Sequence, residues 1–193
     1  MDKQKNQLIV FCGMDGSGKT TLTKKVASYL KTCGLEYKII HSHGYSISEN
    51  SFGLSIKKLN KLKYLLRFLI PFALIDNLFT FYFRYGPVLK EKTLICDRYF
   101  YDKLARMIYY GISTNTIAKI YLKLLPKPDF TFFLDTAAQD AHIRKGEYQE
   151  EELLRYKYIY KFLAKHLNAL VIDTSQSIDT SYKEIVELLQ VQR

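Results

Sequence analysis

The chain has 193 residues and a hydrophobic fraction of 48%, values that suit one globular domain with a full core. It carries 29 Lys and Arg against 19 Asp and Glu, a formal net charge of +10, which suits anionic partners such as nucleotides, nucleic acid or a membrane surface. The basic residues are dispersed apart from one cluster, which we interpret as the solvated face of a helix. Its members are Lys57, Lys58, Lys61 and Lys63. No basic groove or binding module indicates nucleic acid, so we expect none as a partner.

The three cysteines help to predict the cellular compartment of the protein. Cys12, Cys33 and Cys96 lack the spacing of a metal site, and Cys12 and Cys96 fall in predicted core strands. We therefore expect free thiols in a reducing compartment, the cytoplasm. The polar N-terminus leads directly into the first predicted strand, so we expect no signal peptide.

The most apolar run extends from Tyr64 to Phe83 and has some features of a membrane span. It contains four residues that are costly in lipid or unusual there. These are Arg67, Pro71, Asp76 and Asn77. We interpret the run as a buried or interface helix and expect no membrane contact.

Periodicity predicts alternating strands and helices. The predicted strands are 8–12, 37–40, 93–96, 130–134 and 169–172. The predicted helices are 19–33, 54–69, 71–85, 101–110, 114–125, 137–144, 150–167 and 178–191. Gly86-Pro87 is expected to break or kink the third helix. The alternation predicts an α/β fold with a parallel sheet covered on both faces, and we expect one domain over 1–193.

The stretch VFCGMDGSGKTTL, residues 10–22, joins the first predicted strand to the first predicted helix. It has the glycine spacing and the Gly-Lys-Thr ending of a phosphate-binding loop. Glycines let successive backbone N–H groups point at a phosphate, and the helix adds the positive end of its dipole. We expect Lys19 to reach the β- and γ-phosphates of a triphosphate, Thr20 to hold Mg²⁺ and Thr21 to contact the α-phosphate.

The whole loop is therefore a predicted nucleotide-binding element. Its residues are Gly13, Met14, Asp15, Gly16, Ser17, Gly18, Lys19, Thr20 and Thr21.

A second motif, Asp97-Arg98-Tyr99, ends the third predicted strand. A carboxylate at that position is placed to organise the Mg²⁺ shell beside a phosphate loop. A guanidinium can grip a phosphoryl group through two parallel hydrogen bonds. Asp97 is thus a candidate metal residue and Arg98 a candidate phosphate residue, the alternative being a salt bridge at the strand end.

The order GMDGSGKTT, LICDRY, PDFTFFLD, a basic lid-like stretch and VIDTSQS resembles the thymidylate kinase family of nucleoside monophosphate kinases over nearly the whole chain. The resemblance implies a P-loop NTPase fold with three layers and a five-stranded parallel sheet of order 2-3-1-4-5. It also implies phosphoryl transfer from ATP, with Mg²⁺, to a nucleoside monophosphate, dTMP first. Homodimers built from helices are common in that family.

The resemblance also implies residue roles. Asp15 would contact the acceptor sugar hydroxyl and Arg98 the acceptor phosphate, with Tyr99 beside it. Ser175 and Gln176 would lie against the adenine of ATP.

Other acceptor segments differ from the family pattern. His41 and His43 replace an Arg-Glu-Pro-Gly-Gly-Thr-like segment, and either could contact the acceptor or neither. Members of the family carry an arginine on the third helix that reads thymine, and Asp76 and Asn77 occupy the nearest positions here. Phe72 is a candidate for the ring that stacks on the acceptor base. These differences leave open a different small acceptor, such as another nucleotide, a nucleoside or a sugar. A nucleotide-binding protein without turnover is a further alternative.

A short lid is expected around 144–150, where Arg144 and Lys145 precede Gly146. Arg144 is preferred over Arg155 as the cation that neutralises the moving phosphoryl group. Arg144 could instead only cap its own helix. The helix 71–85 has aromatic residues around most of its circumference, so we expect it to lie in a homodimer interface.

Overall fold

The computed structural model describes residues 5–41, 67–146 and 148–191. Several sequence expectations concern residues outside these ranges. They are His43, most of the basic helix 54–69, the cluster Lys57, Lys58, Lys61 and Lys63, and Glu147 in the lid.

The strands form one parallel sheet of five strands in the order β2-β3-β1-β4-β5. They are β1 Leu8–Cys12, β2 Tyr37–His41, β3 Thr93–Asp97, β4 Phe130–Asp135 and β5 Leu170–Asp173. This confirms the predicted fold and strand order. All carboxyl ends meet at one edge, where ligands bind in open α/β sheets.

Helices cover both faces of the sheet. They are α1 Lys19–Thr32, α2 Ile70–Thr80, α3 Gly86–Glu91, α4 Phe100–Tyr109, α5 Asn115–Leu124, α6 Ala138–Lys145, α7 Glu150–Leu167 and α8 Ile178–Val191. Ile9 and Phe11 of β1 face a core shared with α1 and α8. Leu8 and Val10 face the core shared with α4, α5 and α7. This alternation follows from the two-residue period of a strand.

The Gly86-Pro87 pair kinks its helix without ending it. A π-helical turn, Phe81–Tyr85, joins α2 to α3, and the Gly86 N–H donates to the carbonyl of Phe81. Pro87 lacks an N–H and its ring crowds the preceding turn, so the wider turn accommodates it. The helix therefore continues to Glu91, beyond the predicted end. No helix in the described ranges is long and apolar enough to cross a membrane.

Candidate active site

The loop between β1 and α1 takes a backbone conformation that suits glycine. Gly13, Gly16 and Gly18 have φ angles of 153°, 84° and 86°. A Cβ on Gly16 would lie 2.5 Å from the carbonyl oxygen of Ala141 in α6. Because that neighbour is backbone, only glycine fits at position 16 without a shift of α6. The lid helix and the phosphate loop are thus in close contact.

Lys19 lies within the loop that precedes it. Its Nζ donates to the carbonyl oxygens of Gly13 at 2.9 Å and Met14 at 2.7 Å. Burial, with the positive charge of Arg98 second, lowers the pKa of Lys19 to about 8. The carbonyl partners of this ammonium are neutral. Phosphate oxygens in their place would be negatively charged and would stabilise the charged form of Lys19.

Thr20 and Asp97 come together at the start of α1. The Thr20 hydroxyl donates to Asp97 Oδ2 at 2.6 Å, and His41 Nδ1 lies 3.1 Å from the same oxygen. Asp97 is buried at the end of β3, while Thr20 is exposed. Two oxygen ligands at the mouth of a phosphate loop are what Mg²⁺ prefers. His41 therefore contacts Asp97, the candidate metal residue, beside the phosphate loop.

Arg98 connects two carboxylates beside the loop. Its Nη2 donates to Asp15 Oδ1, and its Nη1 lies 3.9 Å from Asp102 Oδ1. Burial opposes the Arg98 charge, but the carboxylates of Asp102 and Asp15 outweigh it and raise the pKa of Arg98. Burial likewise works to raise the pKa of Asp15, but Arg98, Lys19 and Lys145 outweigh it and lower that pKa. Both groups are therefore charged at neutral pH.

The backbone of Arg98 is left-handed, with φ 76°, a conformation uncommon for residues other than glycine. Asp102 is held in turn by the Tyr160 hydroxyl at 2.6 Å and by the Tyr99 N–H at 2.9 Å. The Arg98 side chain is thus positioned by contacts on both of its sides. Tyr99 contributes through its backbone, while its hydroxyl donates to the carbonyl of Pro126.

A small cavity of about 20 Å³ lies under Arg98, roughly the room one water needs. It is lined by Met14, Asp15, Arg98, Asp102, Arg106, Tyr148, Leu153, Tyr156 and Tyr160. The sequence interpretation missed Arg106, Tyr148 and Tyr156. The four-residue spacing of Asp102 and Arg106 within α4 was a signal that they share one side of that helix.

The lid cations divide between two places. Arg144 Nη2 donates to the carbonyl of Thr174 at 3.2 Å, next to the end of β5. Lys145 Nζ lies 3.6 Å from Asp15 Oδ1. Arg155, the alternative, is exposed on α7. The expectation that Arg144 is the lid cation stays a prediction, and in this structure Lys145 is the lid cation that lies near Asp15.

The residues expected on the third predicted helix have different surroundings. Asn77 is fully buried; its Nδ2 donates to the Tyr121 hydroxyl at 2.5 Å and its Oδ1 accepts from Lys103 Nζ at 3.1 Å. The expectation that Asn77 reads a base stays a prediction, and in this structure its side chain binds within the core. Asp76 Oδ2 lies 3.7 Å from Lys103 Nζ. Phe72 is 67% exposed and does not line the cavity under Arg98.

The segment expected beside adenine follows β5. The N–H and the hydroxyl of Ser175 both donate to Asp173 Oδ1, at 2.9 and 2.6 Å, which closes a tight turn. Gln176 is exposed in the same turn. A Cβ on Gly18 would lie 3.5 Å from Ile178 Cδ1, so this segment borders the phosphate loop.

Comparisons with known proteins agree with this geometry. The thymidylate kinase family model matches residues 11–185. A probable thymidylate kinase of Sulfurisphaera tokodaii is 28% identical over 194 residues, 95% of each chain. One of Methanocaldococcus jannaschii is 30% identical over 199 residues, 96% of each chain.

Two solved structures share the fold. The thymidylate kinase of Ehrlichia chaffeensis has a TM-score of 0.66 at 21% identity and covers 95% of this chain and 98% of its own. That of Candida albicans has a TM-score of 0.69 at 19% identity, covering 97% and 92%. The matched family model spans the phosphate loop, the Asp97-Arg98 pair and the lid, and the chain belongs to the thymidylate kinase family.

Proposed function

We propose that this protein transfers the γ-phosphoryl group of ATP to dTMP, giving ADP and dTDP. The observation that carries the proposal is the contact between Arg98 and Asp15. The contact supports the proposal because a guanidinium suits an acceptor phosphate, a carboxylate suits an acceptor hydroxyl, and both side chains lie beside the phosphate loop. Family membership and the names of the relatives favour dTMP over another acceptor.

ATP binds along the loop from Gly13 to Thr21. The backbone N–H groups hold its phosphates, and Lys19 turns from the loop carbonyls to the β- and γ-phosphates. The turn at Ser175 and Gln176 borders Gly18, so it is placed to contact the base. Lys145 covers the loop from the lid side.

Thr20 and Asp97 hold Mg²⁺. Their oxygens are 2.6 Å apart and Mg²⁺ favours a few carboxylate or hydroxyl ligands completed by phosphate and water. This fits the absence, in the ranges 5–41, 67–146 and 148–191, of any group of three or more acidic, His or Cys side chains that could form an all-protein cage. When bound, the ion neutralises charge on the β- and γ-phosphates.

The acceptor phosphate binds beside Arg98, and the small cavity under that residue widens to admit it. Arg98 and Arg106 grip this phosphate from two sides, and Asp15 accepts a hydrogen bond from the sugar hydroxyl of the acceptor. Asp76, which lies 3.7 Å from Lys103, is the candidate for contact with the acceptor base. Phe72, four residues before Asp76 on α2, lies on the same side of that helix and offers its ring for stacking.

An acceptor phosphate oxygen attacks the γ-phosphorus while the bond to the β–γ bridging oxygen breaks. The attacking oxygen is already anionic, so no general base is needed. The negative charge that moves onto the equatorial and leaving oxygens is met by Lys19, Lys145 and Arg98. The protein therefore works by positioning and by electrostatic stabilisation.

A panel of acceptors tests the proposal. ADP release is coupled to NADH oxidation with dTMP, other nucleoside monophosphates, thymidine and a hexose as acceptors, at equal protein and Mg·ATP concentrations. The proposal predicts the highest kcat/KM for dTMP. A higher value for any other acceptor would reassign the substrate. Absence of ADP release with every acceptor would support a nucleotide-binding protein without turnover.

The proposal includes a homodimer. The outer face of α2 and the π-helical turn presents Ile75, Phe79, Tyr82 and Phe83, each between 60% and 66% exposed. Phe79 and Phe83 stack on each other with ring centroids 4.3 Å apart. A contiguous apolar face of this kind is rare on monomers and suits an isologous interface.

Sedimentation equilibrium tests the dimer. We expect a dimer at tens of micromolar protein, and a monomer for Phe79→Asp. Ile120→Asp on α5, where Ile120 is 55% exposed, is the matched control and stays dimeric. A monomeric parent protein would contradict the interface.

A cytoplasmic location completes the proposal. Cys12, Cys33 and Cys96 are free, and burial raises the pKa of the Cys12 and Cys96 thiols. Unreactive buried thiols and no disulfide among the described residues are typical of a reducing compartment.

A further inference from the structure

A second cavity opens at the edge of the sheet opposite the phosphate loop. It has a volume of about 240 Å³. It is lined by Tyr101, Lys119, Leu122, Lys123, Lys127, Pro128, Thr131, His166, Leu167 and Asn168. These residues come from the start of α4, the middle and end of α5, the linker before β4, the start of β4 and the end of α7 with the residue after it. Because the strands are parallel, this is the amino-terminal edge, away from the site described above.

The rim of this cavity is basic. Lys119, Lys123, Lys127 and His166 line it, and no carboxylate does. Lys123 and His166 lie in the last turns of α5 and α7, where a cation favours the helix dipole. That effect does not account for Lys119 within α5 or Lys127 in the linker. Lys119 and Lys123 are four residues apart on α5, so their like charges repel each other. A bound anion would reduce this electrostatic repulsion.

The floor is apolar and holds one unsatisfied polar atom. Leu122, Leu167 and Pro128 line it together with Tyr101. Tyr101 is 1% exposed, and its hydroxyl has no hydrogen-bond partner among the described residues. A buried hydroxyl without a partner is uncommon and costs stability. That hydroxyl is itself buried away from the cavity, so the floor offers a ligand apolar contact only.

We infer that this cavity binds a compact aromatic phosphate, with the ring on the apolar floor and the phosphate among the lysines. The volume is slightly below the range of about 300–1,000 Å³ usual for drug-sized ligands, which favours a molecule no larger than a mononucleotide. The His166 Nδ1–H donates to the carbonyl of Phe162, so its Nε2 is the ring nitrogen left to meet the ligand.

Binding of 4-nitrophenyl phosphate tests the inference. Titration calorimetry is done on the full chain with the active site first saturated by a bisubstrate nucleotide, adenosine and thymidine joined through five phosphates. We expect one further site. The triple variant Lys119→Glu/Lys123→Glu/Lys127→Glu should weaken it by about tenfold or more, because the phosphate contacts dominate.

The matched control is Lys24→Glu/Lys31→Glu/Lys183→Glu, which reverses three exposed lysines that do not line the cavity. It should bind the probe within about twofold of the parent protein, as distant surface charges are screened. Tyr101→Phe keeps the ring and removes a hydroxyl that is buried away from the cavity, so it should bind the probe within about twofold of the parent protein. No binding to the saturated enzyme, or an equal loss in the control, would overturn the inference.

Discussion

Thr20 and Asp97 are 77 residues apart in the chain, and the hydroxyl of one donates to the carboxylate of the other at 2.6 Å. The contact joins the first turn of α1 to the end of β3. It is possible because β1 and β3 are neighbours in register, with Phe11 opposite Asp97. The strand order thus brings the two predicted metal residues together.

Thr20→Ala should lower kcat by about a hundredfold, because it removes an oxygen that would hold Mg²⁺ and a partner of Asp97. Thr20→Ser keeps the hydroxyl and should stay within about fivefold of the parent protein. The Mg²⁺ dependence of the rate is the measurement. Equal losses in both variants would show that the methyl group, and thus packing, is what matters.

ATP binding should take up protons above neutral pH. Lys19 has a pKa of about 8 in the free protein, and bound phosphates raise it, so the complex holds more protons than the free protein. Uptake should therefore be about 0.5 proton at pH 8 and about 0.9 at pH 9. Calorimetry in buffers of different ionisation enthalpy measures it. Proton release over this range would contradict the assigned role of Lys19.

The acceptor arginines should affect one substrate only. Arg98→Ala and Arg106→Ala should each raise the KM for dTMP by about tenfold or more. The KM for ATP should stay within about twofold. Initial rates with each substrate varied in turn decide it. If both KM values rise together for Arg98→Ala, the guanidinium belongs to the donor site or to the fold.

Alanine variants of the two lid cations, Lys145 and Arg144, should differ in kcat. Lys145→Ala should lower kcat by about tenfold, since it removes the lid charge that lies near Asp15. Arg144→Ala should have a smaller effect, and Arg155→Ala serves as the exposed control. A larger loss in Arg144→Ala than in Lys145→Ala would restore the expectation from sequence.

Asn77→Ala should destabilise the protein by about 2 kcal/mol, because it removes the buried hydrogen bonds of Asn77 with Tyr121 and Lys103. Asp76→Ala, at a partly exposed position, should cost less stability and instead change the preference among acceptor bases. Thermal unfolding and the acceptor panel together test this pair. A stable Asn77→Ala variant with altered base preference would return Asn77 to the acceptor site.

Local motifs predicted the donor half of the site because their geometry is set within a few residues. The loop from Gly13 to Thr20 and the strand end at Asp97 are placed by β1 and β3 alone. The direction of a side chain on a helix depends instead on how the helix is rotated in the fold. This is why the sequence did not indicate that Asn77 is buried or that Lys145 lies near Asp15.

Transfer of labelled phosphate tests the central claim most directly. The protein is incubated with ATP labelled in its γ-phosphate, Mg²⁺ and unlabelled dTMP, and the nucleotides are separated. We predict that the label appears in dTDP, and that Lys19→Ala lowers its rate of appearance by about 10²–10³-fold. Label found only in inorganic phosphate, or a rate unchanged in Lys19→Ala, would contradict the account.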